Sequence, residues 1–225
     1  MFESKYSKVL TVILVIVIIA IIGLLGFLAF EYYRNYVLSK DAAEMVENFT
    51  GEVSGGEENN NNTGDVNQNN TENPFDQIQS EQSQTAGSGN KKPMYKGFGM
   101  LGTMEIPATN FKYPVLEKVT RKSIETAVAF QWGAGLNQPG NTVIIGHNYR
   151  NGMFFSNNKK LKNGDKIYIT DNSGKKLTYT IYDKFETTES DTDFYQRDTG
   201  GKPEVSLSTC TDNSKARLII LARAE

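Results

Sequence analysis

The sequence predicts an all-β domain that follows one apolar helix and a polar linker. Residues 9–30 form a run of 22 residues without a charged side chain. From residue 94 onward, short β-branched runs alternate with Gly, Asn and Asp turns, at the spacing typical of a β-barrel or a β-sandwich. Residues 94–225 are numerous enough to enclose one hydrophobic core but not two.

The apolar run at residues 9–30 follows a short head, residues 1–8. At about 1.5 Å per residue, a helix over this run is roughly 33 Å long, which matches a hydrocarbon core of about 30 Å. A cleaved signal peptide is the alternative, but the apolar region of such a peptide is usually only about 7–15 residues long. We therefore expect an uncleaved transmembrane signal anchor.

Residues 31–93 connect the apolar run to the β-domain, and their composition changes at about residue 50. Residues 31–49 could continue as a juxtamembrane helix, with tyrosines at the membrane interface, where amphipathic rings are favoured. Residues 50–93 are mainly Gly, Asn, Gln, Ser, Thr and Glu. Such a stretch buries too little apolar surface to offset its ordering entropy. We expect a disordered tether that gives the domain reach.

Charge is distributed unevenly along the chain. Residues 41–93 carry ten acidic side chains and two lysines, whereas residues 94–225 carry eighteen basic and fourteen acidic side chains. This small basic excess does not form the strong stripe that nucleic-acid binding usually needs, so no nucleic-acid partner is expected. The excess is compatible with weak attraction to an acidic membrane or cell-wall surface.

Eight strands are predicted in the β-domain from apolar runs bounded by turns. They lie near residues 98–106, 111–116, 127–132, 141–147, 165–171, 176–185, 204–210 and 216–223. Asp171-Asn172-Ser173-Gly174 has the composition of a hairpin turn between two of these strands. Short helices are expected near residues 120–126, where Thr120 is a suitable cap, and near residues 154–162.

The chain has one histidine and one cysteine, and each ends a predicted strand. His147 ends the run that starts at Asn141, and Cys210 ends the run Leu207-Ser208-Thr209-Cys210. A lone cysteine can also be a small buried apolar residue without any chemical role. The position of both residues at strand ends, with Arg217 seven residues after Cys210, favours a role in chemistry.

These three side chains could together perform nucleophilic acyl transfer. If the strands on either side of residues 211–215 form a hairpin, Cys210 and Arg217 lie close together. A thiolate at Cys210 could then attack a carbonyl carbon and form a thioester. His147 could protonate the departing amine and later deprotonate the incoming one. Arg217 could donate a fixed fork of hydrogen bonds to the substrate or to the developing oxyanion.

The predicted strand at residues 216–223 has two different faces, because side chains alternate along a strand. Arg217, Ile219, Leu221 and Arg223 share the outer face, which is apolar with an arginine at each end. An extended apolar peptide could lie there, so Ile219 is a candidate substrate contact. Arg223 is about 20 Å from Arg217 along the strand and is expected to be an ordinary surface charge.

The ordered set of motifs resembles the sortase family over residues 98–223. Besides the motifs around Cys210 and His147, it includes Met104-Glu-Ile-Pro107, Tyr113-Pro-Val-Leu116 and the turn Asn137-Gln-Pro-Gly-Asn141. The resemblance implies an eight-stranded barrel and a cysteine transpeptidase. It also implies a signal-anchored enzyme on the outer face of a Gram-positive cell membrane.

The resemblance assigns roles by position in this sequence. It implies that Cys210 is the nucleophile, that His147 is the acid and base, and that Arg217 orients the substrate. Thr209, directly before the nucleophile, and Asn148, directly after the histidine, are the further residues expected to contact substrate.

The resemblance also implies the partners of the reaction. The acyl donor would be a secreted protein with a C-terminal sorting motif of the LPXTG type, cleaved between Thr and the next residue. The acceptor would be an amine of a cell-wall precursor such as lipid II, or of a pilin.

The basic residues that flank the span favour neither orientation, because Lys5 and Lys8 precede it and Arg34 and Lys40 follow it. The extracellular position of the catalytic domain therefore follows from the implied function.

Two local features bear on the sortase class. Asn151-Gly-Met-Phe154 after the histidine is similar to class B sortases, which usually carry a long helix between strands six and seven. The corresponding segment here, residues 186–203, is short, which is closer to class A or class D.

The same segment contains four carboxylates, which could bind calcium: Glu186, Glu189, Asp191 and Asp193. A solvated loop is the alternative and is favoured, because these carboxylates lack the spacing of an EF-hand. No metal or other cofactor is expected.

Two alternatives to a sortase remain open from the sequence. An L,D-transpeptidase-like enzyme would have a glycine before its thiol and an arginine close behind it, whereas Thr209 precedes Cys210 here and Arg217 is seven residues away. A membrane-tethered β-domain without catalytic activity would bind wall or partner proteins and would use Cys210 only for packing.

Overall fold

The computed structural model describes residues 3–54 and 92–225, which form one long helix and a β-barrel. The helices are α1 (Glu3–Ser54) and α2 (Arg121–Ile124), with 3-10 helices at Pro107–Thr109, Phe155–Lys160 and Asp193–Gln196. The strands are β1 (Met94–Tyr95), β2 (Phe98–Ile106), β3 (Phe111–Leu116), β4 (Val128–Gly133), β5 (Gly140–Ile145), β6 (Lys166–Asp171), β7 (Lys176–Thr187), β8 (Pro203–Cys210) and β9 (Arg217–Ala224).

Strands β2 to β9 close a barrel of eight strands. Their order is β2-β3-β4-β5-β8-β9-β7-β6, and β6 pairs with β2 to complete the ring. The β3–β4 and β5–β8 pairs are parallel, and the other pairs are antiparallel. The predicted all-β fold with eight strands is confirmed. The two-residue strand β1, which pairs with β2, was not predicted.

Apolar side chains from all sides of the barrel fill its interior. Met104 of β2, Ile144 of β5, Leu207 of β8 and Ile220 of β9 have no exposed surface and belong to one core. Burial of side chains of this size stabilises the fold by roughly 1.5–3 kcal/mol each. A shift of one residue in any strand would turn its core side chains outward, so the packing fixes the register of the strand ends.

Two local elements form where the sequence predicts them. The N-terminus of α2 has a reciprocal cap: Thr120 Oγ1 accepts from the Ser123 N–H at 3.0 Å, and Ser123 Oγ accepts from the Thr120 N–H at 2.8 Å. The hairpin turn between β6 and β7 closes with a bond from the Gly174 N–H to the Asp171 carbonyl at 2.9 Å. The helix expected near residues 154–162 is a 3-10 helix.

Helix α1 continues well beyond the apolar run, and its C-terminal turns pack on the barrel. Ala42, Val46 and Phe49 are buried at the contact with β2 and β3. They recur at helical spacing and therefore form one apolar face. In contrast, the apolar run at residues 9–30 is not buried against any other part of the described protein, and all of its side chains are exposed. The helix is long and apolar enough to cross a membrane, while its opposite end contributes to the barrel core.

Two ion pairs flank the apolar contact between α1 and the barrel. The carboxylate of Asp41 lies 2.6 Å from Lys96 Nζ, and the carboxylate of Glu47 lies 2.9 Å from Lys112 Nζ. Exposed pairs of this kind contribute only about 0–1 kcal/mol each, so the apolar face supplies most of the attachment.

The predicted tether differs from the structure at its N-terminal end. Residues 50–54 belong to α1, which extends the juxtamembrane helix predicted for residues 31–49. Residues 55–91 lie outside the described residues, and so does most of the predicted tether. Helix α1 packs directly on the barrel through Ala42, Val46 and Phe49, and the tether stays a prediction.

Candidate active site

The C-terminal ends of the parallel strands β5 and β8 bring His147 and Cys210 to the same edge of the barrel. Ile145 pairs with Ser208 in the parallel ladder. The ladder extends by one further bond, from the Gly146 N–H to the Ser208 carbonyl at 3.3 Å. Two residues beyond each paired position come His147 and Cys210. Parallel pairing therefore places base and thiol side by side, although they are distant in the sequence.

Arg217 lies directly opposite Cys210 across the antiparallel pair of β8 and β9. Its guanidinium Nη1–H points at the Cys210 Sγ at a distance of 3.3 Å. The predicted hairpin neighbourhood of these two residues is confirmed. The thiol is free and half-buried, so it is accessible to a substrate from one side.

One pocket of ≈ 280 Å³ contains all three predicted catalytic residues. His147, Cys210 and Arg217 line it together with residues of α2, β4, β5, β8 and the β7–β8 loop. The pocket is built from these side chains: Ile124, Gln131, Ile145, Gly146, Glu189, Asp191, Thr192, Phe194, Tyr195, Ser208 and Thr209. The thiol, the imidazole and the guanidinium therefore face the same cavity.

The environment of His147 favours the neutral imidazole. Burial lowers the pKa of His147 below its usual range, and the negative charge of Glu125 partly opposes this effect. The ring of Tyr149 lies against the imidazole with a centroid distance of 4.9 Å. A neutral imidazole near pH 7 can accept a proton from the thiol or from an incoming amine.

Gly146, directly before His147, is required by close packing. A Cβ atom at this position would lie 2.7 Å from Val128 Cγ1 and 2.9 Å from Phe155 Cδ2. The strand end that carries His147 can therefore approach its neighbours only without a side chain at residue 146.

The second terminal nitrogen of Arg217 forms an ion pair with a carboxylate of the same chain. Arg217 Nη2 lies 2.8 Å from Oε1 of Glu189, which is on the β7–β8 loop and 72% exposed. The guanidinium thus bridges the thiol and an acidic side chain. A substrate oxygen that uses Nη2 must displace Glu189.

The β7–β8 loop contains a single short 3-10 helix rather than the long helix of class B sortases. Asp191, one of the carboxylates considered for calcium, accepts a hydrogen bond from the Thr187 hydroxyl. Glu189 is committed to Arg217. Among residues 3–54 and 92–225, no group of three or more His, Cys, Asp or Glu side chains could hold a metal ion. Cofactor independence stays a prediction.

The outer face of β9 is not open to a peptide, so the expected role of Ile219 is corrected. Ile219 has no exposed surface, and Leu221 is only 6% exposed. Both pack in a second apolar cluster with Phe194 from the β7–β8 loop. The apolar pattern of this strand face reflects cover by a segment of the chain itself.

Asn141 holds that covering segment in place. Its side-chain amide donates to the carbonyls of Phe194 and Tyr195 at 3.1 and 2.9 Å, and its Oδ1 accepts from the Ser206 hydroxyl at 2.9 Å. The sequence analysis placed Asn141 at the end of a turn and at the start of a predicted strand, and gave its side chain no role. Its buried position at the start of β5 gives it this anchoring role.

Thr209 and Asn148, both expected to contact substrate, mainly tie the strand ends together. Thr209 is 3% exposed, and its hydroxyl donates to the Gly146 carbonyl at 2.7 Å. The Asn148 amide donates to the Cys210 carbonyl and to Asp212 Oδ1, each at 3.0 Å. Thr209 lines the pocket, whereas Asn148 lies in a neighbouring cavity on the other side of Cys210.

The sequence analysis did not identify the roles of three residues near the site, and it did not identify one ion pair within the barrel. Glu189 was considered only for calcium. Glu125 acts on His147 only because packing brings together segments that are distant in the sequence, and Tyr149, two residues after His147, gave no signal of its own. Arg223, expected to be a plain surface charge, pairs with the buried carboxylate of Glu204.

Residues 104–225 match the family model described as Sortase domain. The chain is 32% identical over 124 residues to "Sortase A" of Bacillus anthracis, and the match covers 53% of this chain but only 58% of that protein. Among solved structures, a Clostridium perfringens Sortase D5 transpeptidase has a TM-score of 0.52 at 27% identity, covering 59% of this chain and 82% of that chain. Sortase A from Corynebacterium diphtheriae has a TM-score of 0.52 at 25% identity, covering 57% and 61%. Because the family model spans more than half of the sequence, this chain belongs to the sortase family of cysteine transpeptidases.

Proposed function

We propose that this chain is a membrane-anchored sortase that cleaves an LPXTG-type sorting motif and transfers the resulting acyl group to an amine. The observation that carries the proposal is the convergence of Cys210, His147 and Arg217 on one pocket, with Arg217 Nη1 3.3 Å from the Cys210 Sγ. Thiol, imidazole and guanidinium are the groups that acyl transfer through a thioester requires.

In the first half-reaction, Cys210 Sγ forms a bond to the carbonyl carbon of the motif threonine. Its proton passes to His147, which then protonates the amine of the following residue as the C–N bond breaks. The C-terminal fragment leaves, and the N-terminal part remains as a thioester. The Arg217 guanidinium, next to Sγ, stabilises the oxyanion that develops on the threonine carbonyl.

In the second half-reaction, an amine attacks the thioester carbon and loses a proton to the neutral imidazole of His147. The C–S bond breaks, and the proton returns to the thiolate of Cys210. The acceptor is an amine of a cell-wall precursor such as lipid II, or of a pilin. The lowered pKa of His147 supports this step, because the imidazole is free to accept a proton near pH 7.

The apolar N-terminal half of α1 supports a single-pass location in the cell membrane of a Gram-positive bacterium, with the barrel outside. The uncharged run at residues 9–30 is long enough to span the hydrocarbon core. Secreted proteins with a sorting motif would then meet the pocket after they cross the membrane.

The test uses the full chain in detergent micelles, because α1 covers part of the barrel core. Fluorogenic peptides with LPXTG, NPQTN and related motifs are incubated with and without a glycine-based amine. Cleavage after the threonine, with the amine added to the product, is expected for the parent protein. Cys210→Ala should abolish both products, and chelation of divalent cations should not change the rate.

A matched control separates catalysis from folding. Cys210→Ser keeps the size of the side chain, and circular dichroism should report the same thermal transition as for the parent protein. Absence of cleavage with every peptide, together with a Cys210 thiol that resists a methanethiosulfonate reagent, would favour the non-catalytic binding domain. The best peptide in the panel would identify the sortase class.

A further inference from the structure

Helix α1 runs along the barrel from one end to the other. Ser39 Oγ lies 3.0 Å from the Tyr113 hydroxyl, near the start of the contact. Near the end of α1, the Val53 carbonyl approaches Gly174 in the β6–β7 hairpin, 2.9 Å from the position of a Cβ atom there. Residue 39 is closer in sequence to the apolar run than residue 53, so the Tyr113 end of the barrel is the membrane-proximal end.

The membrane-proximal contacts adjoin the loop that follows His147. Leu38 of α1 shares a cavity of ≈ 100 Å³ with Tyr113, Met153 and Phe154. Ring contacts continue from this cavity towards the pocket. Phe154 lies 5.2 Å from Tyr113 and 5.7 Å from Tyr149, whose ring rests against the imidazole of His147. The candidate active site is thus at the end of the barrel that α1 meets first.

The helix sets a definite height for this end. The apolar run ends at Phe30, nine residues before Ser39 and twelve before Ala42. At about 1.5 Å per residue, the first barrel contacts lie roughly 14–18 Å along the helix axis from the end of the apolar run. Residues 31–38 belong to α1, so this distance is spanned by continuous helix.

The segment between α1 and β1 does not determine this height. Val53, at its N-terminal side, approaches Gly174 of the barrel. At its C-terminal side, Lys92 pairs with Glu117, and the Pro93 carbonyl accepts a bond from the Met100 N–H at 2.9 Å. Both ends of the segment are therefore attached to the same barrel, and a change in its length leaves the barrel where α1 holds it.

We propose that α1 acts as a rigid spacer, in which residues 31–38 span the distance and residues 39–53 attach to the barrel, and that it holds the catalytic pocket close to the membrane surface at a fixed height. This inference rests on the membrane anchoring in the proposed function and deepens it. Apolar packing of Ala42, Val46 and Phe49 supplies the attachment. The pocket is thereby matched to a peptide substrate that is itself tethered to the bilayer, rather than to one free in solution.

A distance measurement on the full chain in lipid nanodiscs tests the spacer directly. Cys210 is the one cysteine in the sequence, so a thiol-reactive donor dye labels the pocket alone. Energy transfer to acceptor-labelled lipid headgroups reports the height of the pocket. A helix-forming heptad of Ala, Glu and Lys inserted after Arg34 adds about 10 Å and rotates the helix by only about 20°. Energy transfer should fall clearly in this variant.

The matched control is a flexible insertion of the same length after residue 70, between α1 and β1. It should leave energy transfer unchanged. Equal energy transfer in the heptad variant and the parent protein would overturn the spacer, and so would a loss of energy transfer in the control.

Activity separates the spacer from the proposed function. With a soluble peptide, parent and heptad variant should have equal rates, which also shows that the barrel is folded. With the same peptide on a short lipid tether, the heptad variant should lose about tenfold in rate, because the tethered motif no longer reaches the pocket at high effective concentration. Equal loss with both peptides would contradict the spacer. Absence of cleavage by the parent protein would instead contradict the proposed function and leave the distance measurement valid.

Discussion

Arg217 and Glu189 form an ion pair with a separation of 2.8 Å, at the guanidinium nitrogen that does not face the Cys210 thiol. Glu189 is exposed, so the pair is worth only about 0.2–1 kcal/mol. A substrate oxygen can displace the carboxylate at that small cost.

Glu189→Gln should therefore raise kcat/KM with a sorting-motif peptide by about two- to fivefold, mainly through a lower KM. Steady-state kinetics at low ionic strength measure the change, and added salt should reduce it. Asp193→Asn neutralises an exposed carboxylate on the same loop and should have little effect. A fall in kcat/KM for Glu189→Gln would mean that the carboxylate holds Arg217 in position instead of competing for it.

Arg217→Lys should lower kcat by about 100-fold or more, because an ammonium group cannot bridge two acceptors as the planar guanidinium does. The comparison is Arg223→Lys, the same substitution six residues along β9, where the side chain pairs with Glu204. That variant should keep its turnover rate and lose only stability. Similar kinetic losses in both variants would show that β9 tolerates no change and that the position of Arg217 is not special.

The acid limb of the kcat/KM profile should lie below the usual pKa range of histidine. The active enzyme keeps one proton on the thiol–imidazole pair, and the acid limb reports the gain of a second proton by His147. Burial lowers the pKa of His147, so this protonation needs a lower pH than in a free peptide. NMR titration of the one imidazole in the chain measures the same pKa directly.

Glu125→Gln should move that acid limb to still lower pH, because the Glu125 carboxylate raises the pKa of His147. Glu117→Gln, a similar change at a carboxylate paired with Lys92, serves as the control. An acid limb that stays in place in Glu125→Gln would show that another group controls it.

Glu204 should make the stability of the barrel sensitive to acid. Its side chain is fully buried, which opposes ionisation, but bonds from Arg223, Tyr182 and Arg197 outweigh burial and lower the pKa of Glu204. A carboxyl group with a lowered pKa in the folded state stabilises above its unfolded pKa, and this contribution is lost as the pH falls through the folded value.

The free energy of unfolding should therefore decrease as the pH is lowered below about 4–5. Glu204→Gln should cost about 2–3 kcal/mol at pH 7, since two arginines lose their partner, and should flatten the acid dependence. Urea denaturation at several pH values measures both effects. Glu186→Gln, at an exposed carboxylate on β7, should reproduce neither.

Gly146→Ala should destabilise the barrel by about 1–3 kcal/mol and lower activity further, because the added methyl group overlaps Val128 and Phe155 and displaces His147. Thermal denaturation and peptide cleavage report the two effects. Gly51→Ala, in open space on α1, should be neutral or slightly stabilising. Full activity in Gly146→Ala would show that the strand end relaxes without moving the imidazole.

Local pattern was sufficient to predict the eight strands and the proximity of Cys210 and Arg217. Strand alternation fixes which side chains point inward, and a short connection leaves one plausible pairing for β8 and β9. The alternation also led to the correction at Ile219. An apolar outer face of a strand can bind a ligand or can be covered by another segment of the chain. Here the segment around Phe194 covers it, and that segment is distant in the sequence.

The contact between α1 and the barrel had a detectable signal that the sequence reasoning did not use. Ala42, Val46, Phe49 and Val53 recur at intervals of three to four residues within a region otherwise rich in polar side chains. Such a stripe predicts an apolar partner. Its partner, the surface of β2 and β3, could not be identified without the closed barrel. The outward-facing residues of a strand do not indicate which segment of the chain will pack on them.

The parallel pairing of β5 with β8 links catalytic competence to the order of folding. Gly146 and Thr209, which clamp the two strand ends, are separated by 63 positions in the sequence. Contacts of such long range form late, since the loop entropy must be overcome first. A nascent chain carries its thiol apart from its base, and the nucleophile acquires its partners only when the ring of strands closes. Barrel closure therefore completes the candidate site in the same late step that completes the fold.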